Sequence, residues 1–226
     1  MIVNRTLNWV GVAVGCALVM ASGLLRAAET PELTHDGLAR VESKYFKEVY
    51  VRPGASFDGY ARMALLDCQV VFRKNWQRDQ RLEGRRVTSK DMDAIRATLA
   101  TDFRSILTQT LNSGGYTLVD QNGDDVLIVR PAIVGLDVTA PDTHEPGRGR
   151  TFSTSAGEAT LVLEAYDGPS GEILARVIDR ERGRDMGRMM WQNAVTNRAE
   201  ADRIMRKWAD LLRQALDNAR GKPPAS

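Results

Sequence analysis

Apolar and polar positions alternate with a period of two from Arg62 to Phe72. Ala64, Leu66, Cys68, Val70 and Phe72 fall on one side, and Asp67, Gln69 and the following Arg73 on the other. That pattern predicts a half-buried strand. The period then changes. Met92, Ile95, Leu99, Phe103, Ile106, Leu107 and Leu111 recur at helical spacing, the apolar stripe of an amphipathic helix. Thr88 with Asp91 three residues on predicts a capping box at its start, and Asn112-Ser113-Gly114-Gly115 its stop. A second stripe, Ile204, Trp208, Leu211, Leu212, Ala215 and Leu216, predicts a helix from about Ala194 to Ala219, ended by Gly221-Lys222-Pro223-Pro224.

Shorter runs fill the rest. Strands are predicted over 45–51, 116–120, 125–139 with a bend at Pro131, 154–166 and 172–179. Arg52-Pro53-Gly54 ends the first, Asn122-Gly123 reads as a hairpin turn, and Asp167 to Gly171 as another turn. Residues 73–87, 140–152 and 180–193 read as loops. The order β-β-α-β-β-β-β-α lacks consistent βα alternation. It predicts a single α+β domain, a mixed or antiparallel sheet with two main helices packed on one face. The expected organisation is a signal segment at 1–27, a linker at 28–44, the domain at 45–220 and a disordered tail at 221–226.

The 226 residues are 43% hydrophobic and 27% charged, a globular balance that excludes collagen-like, low-complexity and largely disordered classes. The start of the chain stands apart. Arg5 precedes an uncharged run from Leu7 to Leu25, followed by Arg26-Ala27-Ala28, the layout of an export signal cut after Ala27. Two alternatives stay open: a retained anchor, since the run is long enough to span a bilayer, and lipidation at Cys16, since Ala13-Val14-Gly15-Cys16 resembles a lipobox. All three place the body outside the cytoplasm. Arg5 and Arg26 are the only charges in 1–27, so the 31 Lys and Arg of the chain fall to 29, equal to its 29 Asp and Glu. A neutral exported domain is a poor nucleic-acid binder. After cleavage Cys68 is the sole cysteine and cannot form an intramolecular disulfide.

Candidate chemistry is sparse. His35 and His144 lie in separate loops, and no Cys/His ligand spacing appears, so no metal or cofactor is expected. Cys68 sits on the apolar side of its strand, where burial disfavours a thiolate, and reads as a packing residue. There is no G-x-S-x-G, P-loop or G-x-G-x-x-G sequence. Glu158 and Glu164 share a strand face, as do Asp179 and Glu181, but spacing alone does not make a glycosidase pair. The remaining signal is basic. Residues 73–87 carry Arg73, Lys74, Arg78, Arg81, Arg85 and Arg86 around Trp76, and Arg176–Arg188 is Arg-rich. Guanidinium groups offer forked donors to phosphate or carboxylate, and Trp suits a membrane interface. Arg73, Lys74, Trp76, Arg78, Arg81, Arg182 and Arg184 are the candidate surface for an anionic partner; solvated loops with local ion pairs are the plainer reading.

Two stretches carry a family likeness. YVRPGASFDGYARMALLDCQVVF, with Arg52-Pro53-Gly54 and Tyr60, resembles the opening of the DUF 3313 (domain of unknown function) family of bacterial envelope proteins. SAGEATLVLEAYDGPSGEILARVIDR is similar to its second hallmark, with Ala156-Gly157-Glu158, Asp167 through Glu172, Leu174-Ala175 and Asp179. The closing helix with Trp191 and Trp208 also fits, so the likeness spans roughly 45–218. The resemblance implies an envelope protein, often a lipoprotein, and supplies no catalytic residues. The expectation is an exported, non-enzymatic binding or accessory protein of the periplasm or envelope, whose partner is an envelope protein or an anionic lipid surface. The alternatives are a hydrolase acting on envelope polymers and an N-terminally anchored membrane-surface lipoprotein.

Overall fold

Thr88 accepts a hydrogen bond from the Asp91 backbone N–H (3.2 Å), and Asp91 accepts one from the Thr88 N–H (2.8 Å). This is the predicted capping box, and it opens the first of two long helices on one face of a mixed sheet. The structure, a computed structural model, describes residues 32–138, 151–153, 157–182, 190–192 and 194–221. Its strands are β1 (Ala39–Val41), β2 (Glu48–Val51), β3 (Arg62–Leu65), β4 (Gln69–Phe72), β5 (Thr117–Leu118), β6 (Val126–Val138), β7 (Thr151–Ser153), β8 (Gly157–Asp167), β9 (Ile173–Arg182) and β10 (Met190–Gln192). Its helices are α1 (Trp76–Leu82), α2 (Ser89–Ser113) and α3 (Ala194–Ala219). The main sheet runs β1-β2-β9-β8-β6-β3-β5, with β4 also beside β6, and β7 pairs β10 in a separate ribbon. From β1 to β6 every pairing is antiparallel; β3, β4 and β5 join in parallel. The expected α+β class with two main helices on one face is therefore the fold observed.

The helix stripes find their partner in the sheet. Phe103, Leu107 and Leu111 of α2 and Met205, Trp208 and Leu212 of α3 are buried against Met63, Leu127, Val129, Leu161 and Leu163. Phe103 meets Trp208 edge-on, with ring centroids 6.2 Å apart. One polar pair is enclosed here: the Trp208 indole donates to Asp179 Oδ2 at 2.9 Å, which satisfies a carboxylate that is 3% exposed.

Two bulges set which side chains face inward, and alternation alone misses both. The first splits the predicted 62–72 strand. Met63 and Leu65 face the helices in β3, whereas Cys68, just before β4, and Val70 and Phe72 within it do so. Leu66, predicted inside, is 44% exposed. Leu65 pairs Val129 and Gln69 pairs Ala132, so the 66–68 segment holds one residue more than its partner. The cause lies in β6. The Leu66 N–H donates to the Val129 carbonyl. Pro131, two residues on and facing the same side, has no N–H to continue the ladder. Arg104 of α2 covers the break, donating to the Leu65 carbonyl at 2.7 Å. The second bulge is at Gly135, whose φ of 63° suits glycine. Both β4 and β8 lose register there, and the inward side of β6 passes from Ile133 to Leu136.

Other expectations need correction. Asn122-Gly123 is no hairpin turn: β3 lies between β5 and β6, and all three run parallel. Asn122 instead holds the neighbouring turn, donating to the Gly168 carbonyl at 2.7 Å. The predicted 73–87 loop contains α1, launched by Asn75 in the left-handed region at φ 65°. Ala39–Val41, inside the expected linker, is a strand of the sheet.

Candidate functional site

Strands β4 and β6 end where β9 ends and β8 begins, so the last residues of β4 and β9 lie at one end of the sheet. The Gly135 bulge decides what stands there. It turns Asp137 to the face away from the helices, in register with Glu158, which is in register with Arg182. Arg73, just past β4, donates through Nε to Asp137 (2.8 Å) and through Nη1 to Asp79 of α1 (2.7 Å). Glu158 receives Arg180 and, at 3.2 Å, Arg182. Behind them Arg85 donates to Gln80 at 2.6 Å and pairs with Glu83. Arg73, Gln80, Glu83, Arg85, Asp137, Glu158 and Arg182 line a cleft of about 320 Å³, with no apolar side chain among the described residues of its wall.

Electrostatics fix the ionisation of this end. Burial pushes the Glu158 carboxyl up, but the hydrogen bonds of Arg180 and Arg182 outweigh it and hold it below the usual range. Arg73 holds Asp79 low in the same way. Burial lowers the Arg85 guanidinium from its ordinary value.

The sequence-predicted residues divide here. Arg73 and Arg182 line the cleft. Lys74, Arg78 and Arg81 are exposed on and beside α1. Arg78 lies 3.6 Å from Asp79, a carboxylate already taken by Arg73. Trp76 does not join them. It is 1% exposed, stacks on Phe72 with centroids 4.3 Å apart, and donates its indole N–H to the Val138 carbonyl at 3.2 Å. The helical turn that replaces the expected loop points it into the core, so it offers nothing to a membrane. Arg184 and Cys16 lie outside the described residues. Asp137, Glu158 and Gln80 were missed as members of this site; the signal for Asp137 was an isolated glycine inside a strand pattern.

The opposite end of the sheet gathers the two family-like stretches into one cluster. Arg52 pairs with Glu172 at 3.1 Å and donates to the Ile173 and Asp36 carbonyls at 2.7 and 3.1 Å. Tyr60 donates to Asp167 at 2.8 Å, while the Ser170 N–H donates to the other Asp167 oxygen at 2.9 Å. Burial, with Asp167 beside it, pushes the Tyr60 hydroxyl up to about 12. On the outer face between the ends, Glu164 accepts from Arg130 (2.9 Å), Arg176 (2.8 Å) and Tyr166 (2.7 Å). These bonds overcome burial and keep Glu164 ionised.

Asp36, Asp79, Asp125, Glu158, Glu164 and Asp167 are all shifted downward. A general acid working near neutrality needs the reverse. Cys68 is buried, and burial pushes its thiol up to about 12. Among the described residues no group of three or more His, Cys, Asp or Glu could hold a metal ion, and no helix is long and apolar enough to cross a membrane.

Residues 29–212 match a family described as "Protein of unknown function (DUF3313)". No curated protein matches. Among solved structures, the chain is similar to a PelC dodecamer from Paraburkholderia phytofirmans, at 11% identity and a TM-score of 0.36, covering 72% of this chain and 96% of that one. It is also similar to a minor lipoprotein from Acinetobacter baumannii, at 11% identity and a TM-score of 0.32, covering 72% and 94%.

Proposed function

Because the chain belongs to the DUF3313 family, we propose that it is an exported accessory protein of the bacterial envelope that binds an anionic partner and performs no catalysis. One observation carries this reading. Exposed Lys74, Arg78 and Arg81 stand at the same end of the sheet as Arg182, whose side chain is 70% exposed. Cations grouped this way add their fields toward one anion. The export layout of residues 1–27 supports a domain outside the cytoplasm, with anionic lipid as the partner of that charge. The downward-shifted carboxylates support binding over acid–base chemistry.

Co-sedimentation with vesicles tests the reading. The protein binds phosphatidylglycerol vesicles and not phosphatidylcholine vesicles, and binding falls steeply with salt. Charge reversal at Arg78, Arg81, Arg182 and Arg184 together weakens it. Equal binding to both vesicles, or unchanged binding by the reversed variant, overturns the lipid-surface reading.

A further inference from the structure

The cleft at the end of β6, β8 and β9 has a charge pattern unlike that of the exposed α1 cations. Among the described residues its wall holds Arg73 paired with Asp137, Arg85 with Glu83 and Arg182 with Glu158, three positive and three negative groups. The described wall is therefore neutral overall and offers both signs of charge. A lone anion gains from the guanidinium groups and loses to the carboxylates, and a lone cation does the opposite. Among the described residues of the wall an apolar ligand finds no apolar side chain to bury against, although ordinary small-molecule clefts are mostly apolar. Only a molecule that carries both charges meets a complementary group at each end.

We infer that this cleft binds a small zwitterion, an ammonium and an anionic group held a few bonds apart, as in an amino acid or a phosphoethanolamine. Its ammonium sits between Asp137 and Glu158, and its anionic group between Arg73 and Arg182. The partners differ in how firmly they are held. Arg73 is fixed on two sides, by Asp137 at 2.8 Å and Asp79 at 2.7 Å. Arg182 reaches Glu158 at only 3.2 Å and is 70% exposed. Such a surface pair is worth little, so Arg182 leaves Glu158 for a ligand anion at low cost. Glu158 keeps Arg180 and gains the ligand ammonium. The guanidinium groups also hold unspent donors: Arg73 uses Nε and Nη1, and Arg182 uses Nη2, of five N–H each. The volume, about 320 Å³, lies at the small end of ligand clefts and suits a group of this size.

This inference shares Arg182 with the lipid-surface reading, but that reading also needs Lys74, Arg78 and Arg81 and is read by vesicles, so the two fail separately. Calorimetric titration of the full exported chain decides it, with alanine, phosphoethanolamine, acetate and ethylammonium as the four probes. The expected result is saturable binding of alanine or phosphoethanolamine with Kd at or below about 1 mM, and none of acetate or ethylammonium in that range. Preference between the two zwitterions tells a carboxylate source from a phosphate one. Arg182→Ala and Glu158→Gln each weaken binding by roughly tenfold. Arg130→Ala, on the same face outside the cleft, leaves it unchanged; circular dichroism and melting show all three variants folded. Binding of acetate or ethylammonium as tight as the zwitterions, saturation by neither zwitterion, or insensitivity to Arg182→Ala and Glu158→Gln overturns the proposal.

Discussion

Replacing Trp76 separates a packing role from a membrane role. The ring is 1% exposed, stacked on Phe72 at 4.3 Å and hydrogen-bonded to the Val138 carbonyl at 3.2 Å. Trp76→Ala removes the whole side chain from a closed site, a class of change that costs about 3–5 kcal/mol. It also removes the hydrogen bond to the Val138 carbonyl. With an m-value of about 2 kcal/mol/M in urea, the midpoint falls by roughly 1.5–2.5 M. At roughly 2–4 °C per kcal/mol for a domain of this size, the melting temperature drops by roughly 6–20 °C. Trp76→Phe keeps a ring over Phe72 and loses mainly the N–H bond, for about 1 kcal/mol. Equilibrium urea unfolding followed by far-UV circular dichroism measures both. A Trp76→Ala cost below about 1 kcal/mol refutes the packing argument. So does a vesicle-induced blue shift of tryptophan emission that vanishes in Trp76→Phe, because an enclosed indole has no lipid to enter.

The other predictions concern the thiol, the acid limb and the N-terminus. Cys68→Ala costs about 1 kcal/mol, and the native Cys68 thiol resists alkylation at neutral pH until the protein is unfolded; rapid native labelling contradicts its burial. Hydrogen bonds from Arg176 and Thr34 lower the Asp36 carboxyl from 3.8 to about 2. A depressed folded value means that this contribution is complete above about pH 4 and is lost as pH falls toward 2. Asp36→Asn therefore flattens that part of the acid unfolding profile, and an unaltered profile sinks the assignment. Intact mass of protein recovered from the periplasm should correspond to a chain beginning at Ala28; a mass that includes residues 1–27, or lipid on Cys16, rejects cleavage at this position.

Periodicity was enough for the helices, because a stripe of apolar residues at 3.6 spacing has few alternatives once a capping box and glycines bound it. It was weaker for strands. Alternation assumes an unbroken ladder, and both breaks have causes outside the strand whose pattern was read. Leu66 is exposed because Pro131 lies on the neighbouring strand, and no count within 62–72 contains that fact. The Asn122-Gly123 turn misled for a similar reason: local turn chemistry cannot show that β3 arrives between the two flanking strands. The basic segments were visible as composition, and strand order brought Arg73 and Arg182 to one end. Composition could not foresee that α1 rotates Trp76 inward, nor that a single glycine moves Asp137 across the sheet to meet them.

The chain enters the sheet at one end and offers its cleft at the other. Residues 34–38 are clipped beside Arg52, whereas Arg73, Asp137 and Arg182 stand at the far ends of the strands. The separation is set by β6, whose 13 residues at 3.3–3.4 Å each make a spacer of roughly 40 Å. A partner seated at the cleft therefore stays roughly that far from residues 34–38, and the length of β6 fixes the distance as a ruler would.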